Sequence, residues 1–445
     1  MQGRDEIRRV VIVGGSVAGM LAAAALAGPG RTITLLERDA LPDGPEPRKG
    51  VPQGRQPHVF LHRGLLTIEE LLPGFGGDLR AAGAVPLDTG HLAWLGESGW
   101  APRAEQYGIA SATRPLFEHV LRRRVLALPG VELRDRTTVS GLRRGWSGGP
   151  PWWVDTEGGD AVRADLVIDA SGRSSRLPHW LAALGAPAAR TSQVDARVGY
   201  ATTEVAVPPG TVAADGIVLL QTPDRSGGLA LPVEGDRWLV CAVGSGARRP
   251  GREREAFVGS LAGLPDPALA DLVGTSDGDI AVHRQTGNVR HHYDQVRGWP
   301  AGLLVVGDAL CSFNPVYGQG VTVAALEALA LRDAARRPLH TQRLLRRFAR
   351  LVDLPWQIAT SEDLRYPAAG GRAPRFSALF SRWTRELGRL GAHGDVVAQA
   401  SMARVYHLMG SPLLLVRPTL VARSLRARRR GYGEPTPRPR VLTSD

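Results

Sequence analysis

Six residues near the N-terminus, Gly14-Gly15-Ser16-Val17-Ala18-Gly19, have the spacing of a pyrophosphate-binding turn, with Ser16 in place of the usual middle glycine. Gly14 permits the tight turn, and Gly19 lets a helix lie close on a strand. The N-terminus of that helix is suited to negative charge. Glu37 follows at about the 20-residue offset expected of an acid that accepts both ribose hydroxyls of an adenosine, with Arg38 beside it. An acid there disfavours a phosphorylated ribose. Placing these groups requires a buried strand over Val10–Val13, a helix starting near Ser16, and a second strand over Thr32–Leu36. The alternative, a structural βαβ unit without ligand, explains fewer of these features.

A second constellation lies far along the chain. The apolar run Leu303–Val306 leads into Gly307-Asp308-Ala309, then Phe313-Asn314-Pro315-Val316-Tyr317-Gly318-Gln319-Gly320, then a helix from about Val321. In flavoproteins an acid in the place of Asp308 lies on the ribityl chain. A turn such as Pro315, Gly318, Gln319 and Gly320 sets backbone amides beside the flavin ring, where they favour negative charge on the reduced form. FAD is therefore the expected dinucleotide.

Together with RKGVPQGRQPH (48–58), DASGRSSRLPHWLAALG (169–185) and PWQIATSEDLRYP (355–367), these stretches resemble FAD-dependent monooxygenases of the aromatic-hydroxylase and squalene-epoxidase type. Within that group the chain is most similar to bacterial natural-product enzymes such as the polyene epoxidases of polyether pathways. The resemblance implies a mixed α/β fold with a Rossmann-like FAD-binding domain built from separated segments. An antiparallel substrate sheet and a C-terminal helical region complete it. Its implied boundaries are 1–75, 98–185 and 285–330 for the FAD-binding parts, and 76–97 and 186–284 for the substrate parts. The helical region is 331–425, and 426–445 is a basic, flexible tail. The resemblance also puts Arg48, Gln53 and Arg114 along the FAD, and a backbone contact to adenine at Val139. Arg114 precedes a helix expected over Pro115–Leu128. Tyr200, Leu229, Leu231 and Phe313 either line the substrate pocket or belong to ordinary core. The chemistry it implies is oxygen insertion, in which reduced FAD and O2 form a C4a-hydroperoxide that epoxidises or hydroxylates a hydrophobic molecule. A flavin-dependent reductase of prenyl or alkene double bonds is the alternative on the same cofactor fold.

Flavin-centred chemistry accounts for the lack of any nucleophile–base–acid set in the sequence, and no residue is assigned a catalytic role. Ser171–Ser175 lacks the G-x-S-x-G spacing of a hydrolase, and the histidines show no metal-ligand spacing, so no metal is expected. Cys311, close after Asp308, is either near the flavin or a small buried filler. Ser171 stands where members of the group that dock NADPH carry an acid after the second fingerprint's aspartate. Reducing equivalents are accordingly expected from NAD(P)H on a less obvious surface or through a separate flavin reductase.

Composition narrows the class further. The 445 residues include 54 glycines, 33 prolines and two cysteines, which excludes a disordered tail protein and a disulfide scaffold. No apolar run reaches the roughly 20 residues of a membrane span. Arg8-Arg9 imitates an export signal. However, Asp5 and Glu6 precede the pair, and Gly14, Gly15 and Ser16 break the apolar stretch behind it, so a cytoplasmic location is expected. The net charge is +12, and Lys49 is the only lysine. Scattered arginine without aromatic clusters argues against nucleic acid, and the lack of a channel lysine argues against a flavin halogenase. Eight arginines lie between Arg417 and Asp445, forming a solvated end or a weak anchor to anionic lipid.

Overall fold

A computed structural model describes residues 7–145, 151–274, 276–371 and 374–443; Asp5, Glu6 and Asp445, invoked above, lie outside them. Val10–Val13 is apolar and buried on both faces, which suits a strand inside a parallel sheet. The sheet has five parallel strands in the order Leu303–Val305, Leu166–Asp169, Arg9–Val13, Thr32–Leu36 and Val131–Arg134. Its register pairs Val13 with both Leu36 and Asp169, and Asp169 with Val305. The turns after these strands, at Gly14, Glu37, Ala170 and Gly307, therefore open along one edge. Open α/β sheets bind ligands at that carboxyl edge. The helix Val17–Leu26 packs against Gly320–Ala334 and Arg114–Leu126, so distant segments share one core.

The second layer is a six-stranded sheet, ordered Ala281–His283, Val198–Ala206, Arg237–Ser245, Gly227–Val233, Ile217–Leu219 and Ala93–Leu95. It is antiparallel except for the last pair. Alternation along Val198–Ala206 divides its faces. Ala201 and Val205 pack under the helices Arg254–Ala262 and Ala268–Val273, whereas Tyr200 and Thr202 turn toward the parallel sheet's domain. Segment 285–330 is not solely part of the parallel-sheet domain: Asn288–His291 and Cys311–Ser312 form a small antiparallel sheet with Thr191–Val194.

After the helix Thr341–Asp363, three further helices, Arg375–Ala392, Val396–Tyr406 and Pro418–Arg430, enclose a core of their own containing Leu387, Leu390, Ala398, Val405, Leu415 and Leu420. The segment expected to be a flexible basic tail is instead ordered through Thr443. Val441 and Leu442 are buried in the core of the six-stranded sheet, Leu442 bridges to Val212, and Arg438 pairs with Asp266 at 2.6 Å. Two apolar residues near the end of the chain outweigh the solvation of the arginines before them. No described helix is long and apolar enough to cross a membrane.

Candidate active site

A cavity of about 610 Å³ runs from the carboxyl edge of the parallel sheet to the inner face of the six-stranded sheet. Its wall includes Gly14, Ser16, Ala18, Glu37, Arg38, Arg48, Gln53, Arg114 and Val139 from one part of the chain, and Asp308, Pro315, Gly318, Gln319 and Gly320 from another. Tyr200, Leu229 and Phe313 line it too. Gly14 adopts a φ of +106°, and a Cβ there would stand 2.5 Å from the Ala170 carbonyl oxygen, so only glycine fits. Gly19 is not in the wall. It lies behind the turn, where a Cβ would overlap the Gly14 carbonyl, and its smallness serves helix–strand packing alone. Leu231 is also absent from the wall. It shares a face with Leu229, but two residues further along it is covered by Leu87, Leu92 and Ile109.

The fingerprint end is organised by buried charge. Glu37 accepts the Gly15 N–H at 2.8 Å and the Asp39 N–H at 3.0 Å, which holds its carboxylate against the glycine turn. Arg48 donates to Asp39 at 2.9 Å and to Glu118 at 3.2 Å, and lies 3.5 Å from Glu37. Arg114 donates to Glu118 at 2.8 Å and to the Ser16 hydroxyl at 3.2 Å, and Ser16 itself donates to Glu118 at 2.7 Å. Serine in place of the middle glycine thus ties the turn to the Arg114 helix. Burial alone would push the Glu118 carboxyl up, but Arg114, Arg48 and the Ser16 hydroxyl bring it down to about 2. Glu118 escaped the sequence analysis. Its one local signal is the i,i+4 spacing from Arg114.

At the other end, Asp308 faces the cavity and makes no hydrogen bond with any described residue. Burial raises its carboxyl against the pull of Arg173 and Arg114. Below it, Glu327 accepts the Gly307 N–H at 2.7 Å and is fully buried. Desolvation, moderated by that bond, pushes its carboxyl up to about 8. Gln319 is 1% exposed, yet neither its amide oxygen nor its nitrogen has a partner among the described residues. The Arg48 Nη2 is likewise unpartnered. Buried polar atoms are nearly always satisfied, so these groups fit a bound polar ligand lying along the wall. The expected FAD meets that requirement: an acid and a glycine turn for its adenosine end, orphaned donors along its length, and an unpaired Asp308 further on. Cys311 is buried outside the wall, and desolvation raises its thiol.

The second fingerprint is self-contained. Asp169 is buried and accepts from the Ser171 backbone at 3.0 Å and from the Ser171 and Ser175 hydroxyls at 2.5 Å each. Arg173, which lines the cavity, donates to the Gly287 carbonyl and, at 2.9 Å, to the Phe313 carbonyl.

The loop Asn314–Gly320 is clamped from outside by the end of the Thr341–Asp363 helix. Asp363 is 1% exposed and accepts from Asn288 Nδ2 at 2.7 Å, Asn314 Nδ2 at 3.1 Å and the Tyr317 hydroxyl at 2.7 Å. With its nitrogen so engaged, Asn314 turns its Oδ1 to the Tyr200 hydroxyl at 2.9 Å. Burial pushes the Asp363 carboxyl up to about 6 even though these donors pull it down. Next to it, Arg365 pairs with Glu97 at 2.7 Å and the Tyr366 hydroxyl donates to the Gln221 carbonyl at 3.3 Å. This short stretch of PWQIATSEDLRYP joins the loop to the six-stranded sheet.

Comparison with known proteins agrees with this geometry. The family described as an FAD binding domain matches residues 8–334. Protein Rv3254 of Mycobacterium tuberculosis is 29% identical over 453 residues, covering 93% of this chain and 92% of that protein. Kynurenine 3-monooxygenase of Salinispora arenicola is 27% identical over 436 residues, covering 91% and 86%. Among solved structures, the anhydrotetracycline hydroxylase OxyS of Streptomyces rimosus superposes with a TM-score of 0.59 at 19% identity, covering 91% of this chain and 76% of that one. At that identity the likeness is one of fold.

Proposed function

Because the chain belongs to the FAD binding domain family, among the FAD-dependent monooxygenases, we propose that it transfers one oxygen atom from O2 to a hydrophobic small molecule, by alkene epoxidation or hydroxylation, in natural-product biosynthesis. One observation carries this reading: a single cavity joins the cofactor cradle to a wall containing Leu229, Cys241 and Val316. Bound FAD supplies electron storage and oxygen activation. The residues that would hold it are Gly14, Ser16, Glu37, Arg38, Arg48 and Arg114 at one end and Asp308, Gln319 and Gly320 at the other. The rest of the protein's task is to orient substrate and exclude water. Tyr200, held by Asn314, offers a fixed hydroxyl on that wall.

Electrons come from NAD(P)H, directly or through a separate flavin reductase. The engagement of Ser171 with Asp169 supports the second route, because it leaves no acid at that turn for a nicotinamide. The enzyme works in the cytoplasm and makes a weak peripheral contact with anionic lipid. That contact is supported by exposed Leu413, Val416, Val421 and Leu425 beside Arg417, Arg426 and Arg429. The decisive experiment supplies isotopically labelled O2 to chemically reduced enzyme with candidate alkenes and electron-rich aromatics. Label in the product is expected. Product formed without oxygen would overturn the proposal in favour of alkene reduction.

A further inference from the structure

Two histidines that the oxygen chemistry does not use lie on the cavity wall. His58 belongs to the loop that follows Arg48, and His283 ends the edge strand Ala281–His283 of the six-stranded sheet. His58 Nδ1 is 2.8 Å from the Gln56 carbonyl oxygen, and His283 Nε2 is 3.1 Å from the Gln285 carbonyl oxygen. A carbonyl only accepts, so those two nitrogens carry the protons, and the remaining nitrogen of each neutral ring is an acceptor. Among the described residues neither His58 Nε2 nor His283 Nδ1 has a partner. Burial disfavours the charged form of both rings. Burial, then Arg114, brings His58 down to about 3, and burial lowers His283 as well.

Their relative position is fixed by one side chain. Gln56 donates through Nε2 to the Ala281 carbonyl at 3.0 Å and accepts the Thr202 hydroxyl at 2.5 Å, stitching the His58 loop to the strand that carries His283. The neighbouring Tyr200 hydroxyl gives its proton to Asn314 Oδ1. Two preset acceptors thus stand in a wall that also presents the apolar side chains of Leu229, Cys241 and Val316. An apolar ligand would leave them unsatisfied, whereas a ligand with a hydroxyl or N–H would pair with them.

We propose that His58 and His283 form an acceptor pair that selects substrates bearing a hydroxyl or N–H donor on an otherwise apolar skeleton. This rests on the monooxygenase reading only in placing substrate in this cavity. The test is equilibrium binding to the oxidised holoenzyme, read from the visible absorption of bound FAD, with naphthol and its methyl ether as probes. Naphthol is expected to bind about tenfold more tightly than the ether. The preference should disappear in His58→Leu and His283→Leu. It should return in part in His58→Gln, which restores a carbonyl acceptor. Unchanged FAD content checks that each variant is folded, and the wild-type comparison needs no variant. Equal affinities, failure of both probes to bind, or a preference that survives both leucine substitutions would overturn the proposal. The labelled-oxygen experiment fails or succeeds independently, because no turnover enters the binding measurement.

Discussion

Replacing Asp363 with asparagine separates the charge of the clamp from its shape. The ordinary carboxyl value is 3.8, and in the folded protein Asp363 is pushed up to about 6. The folded state thus holds this proton more tightly than the unfolded chain does. The stability due to the neutral carboxyl is fully present below about pH 4 and is lost as pH rises through 6. A difference of about two pH units corresponds to about 3 kcal/mol. Asparagine cannot ionise, but its single oxygen serves only part of a set of three donors: Asn288, Asn314 and Tyr317. One donor left unpaired costs about 1–3 kcal/mol at every pH. Asp363→Asn should therefore be the less stable protein near pH 4, and it should gain about 3 kcal/mol on the wild type by about pH 7. Urea unfolding midpoints for both proteins across that range, followed by tryptophan and flavin fluorescence, measure the difference. A stability gap that stays constant with pH would refute the assignment of a buried, proton-binding carboxyl beneath the loop.

Glu118→Gln removes the charge shared by Arg48 and Arg114; breaking one partner of such a buried network costs about 3 kcal/mol, and FAD retention on dialysis should fall with it. Glu327→Gln should differ from the wild type by less than about 1 kcal/mol near pH 4, where the carboxyl is neutral in the folded and unfolded chain alike. It should gain on the wild type as pH rises, because the buried carboxyl, pushed up to about 8, keeps its proton while the unfolded chain loses its own. Its folded value is raised, so the wild type alone should lose stability as pH climbs from about 4.5 to about 8, visible in paired thermal melts. Full-length protein should sediment with anionic vesicles at low salt and less so after Leu413→Ser with Leu425→Ser; equal sedimentation with neutral vesicles would remove the lipid contact.

What could be read from the residues alone follows the range of the interactions. The strand, turn, helix and acid from Val10 to Glu37 form a local unit, and backbone geometry dictates its spacing, so its position on the cavity was legible. The turn Gly307–Gly320 was legible for the same reason. Glu118 was not, because its partners Ser16 and Arg48 arrive from remote segments and leave no fixed spacing. Asp363 was hidden in a helical motif whose use depends on tertiary contact with Asn288 and Asn314. Leu231 shows the limit of alternation. A period of two assigns a face, but it does not say which part of that face another strand covers. Arginine content suggested a loose tail, yet Val441 and Leu442 decided its course.

The burial of Val441 and Leu442 has a consequence for biogenesis. Their partners, among them Val205, Ile217 and Val240, leave the ribosome some two hundred residues earlier. The sheet's hydrophobic interior must wait for about two hundred further residues before its final pieces arrive, with apolar surface open in the meantime. Such long-range closure slows folding and invites aggregation or chaperone capture. Truncation before Val441 would act on maturation of the substrate wall, far along the chain from the helices that segment directly follows.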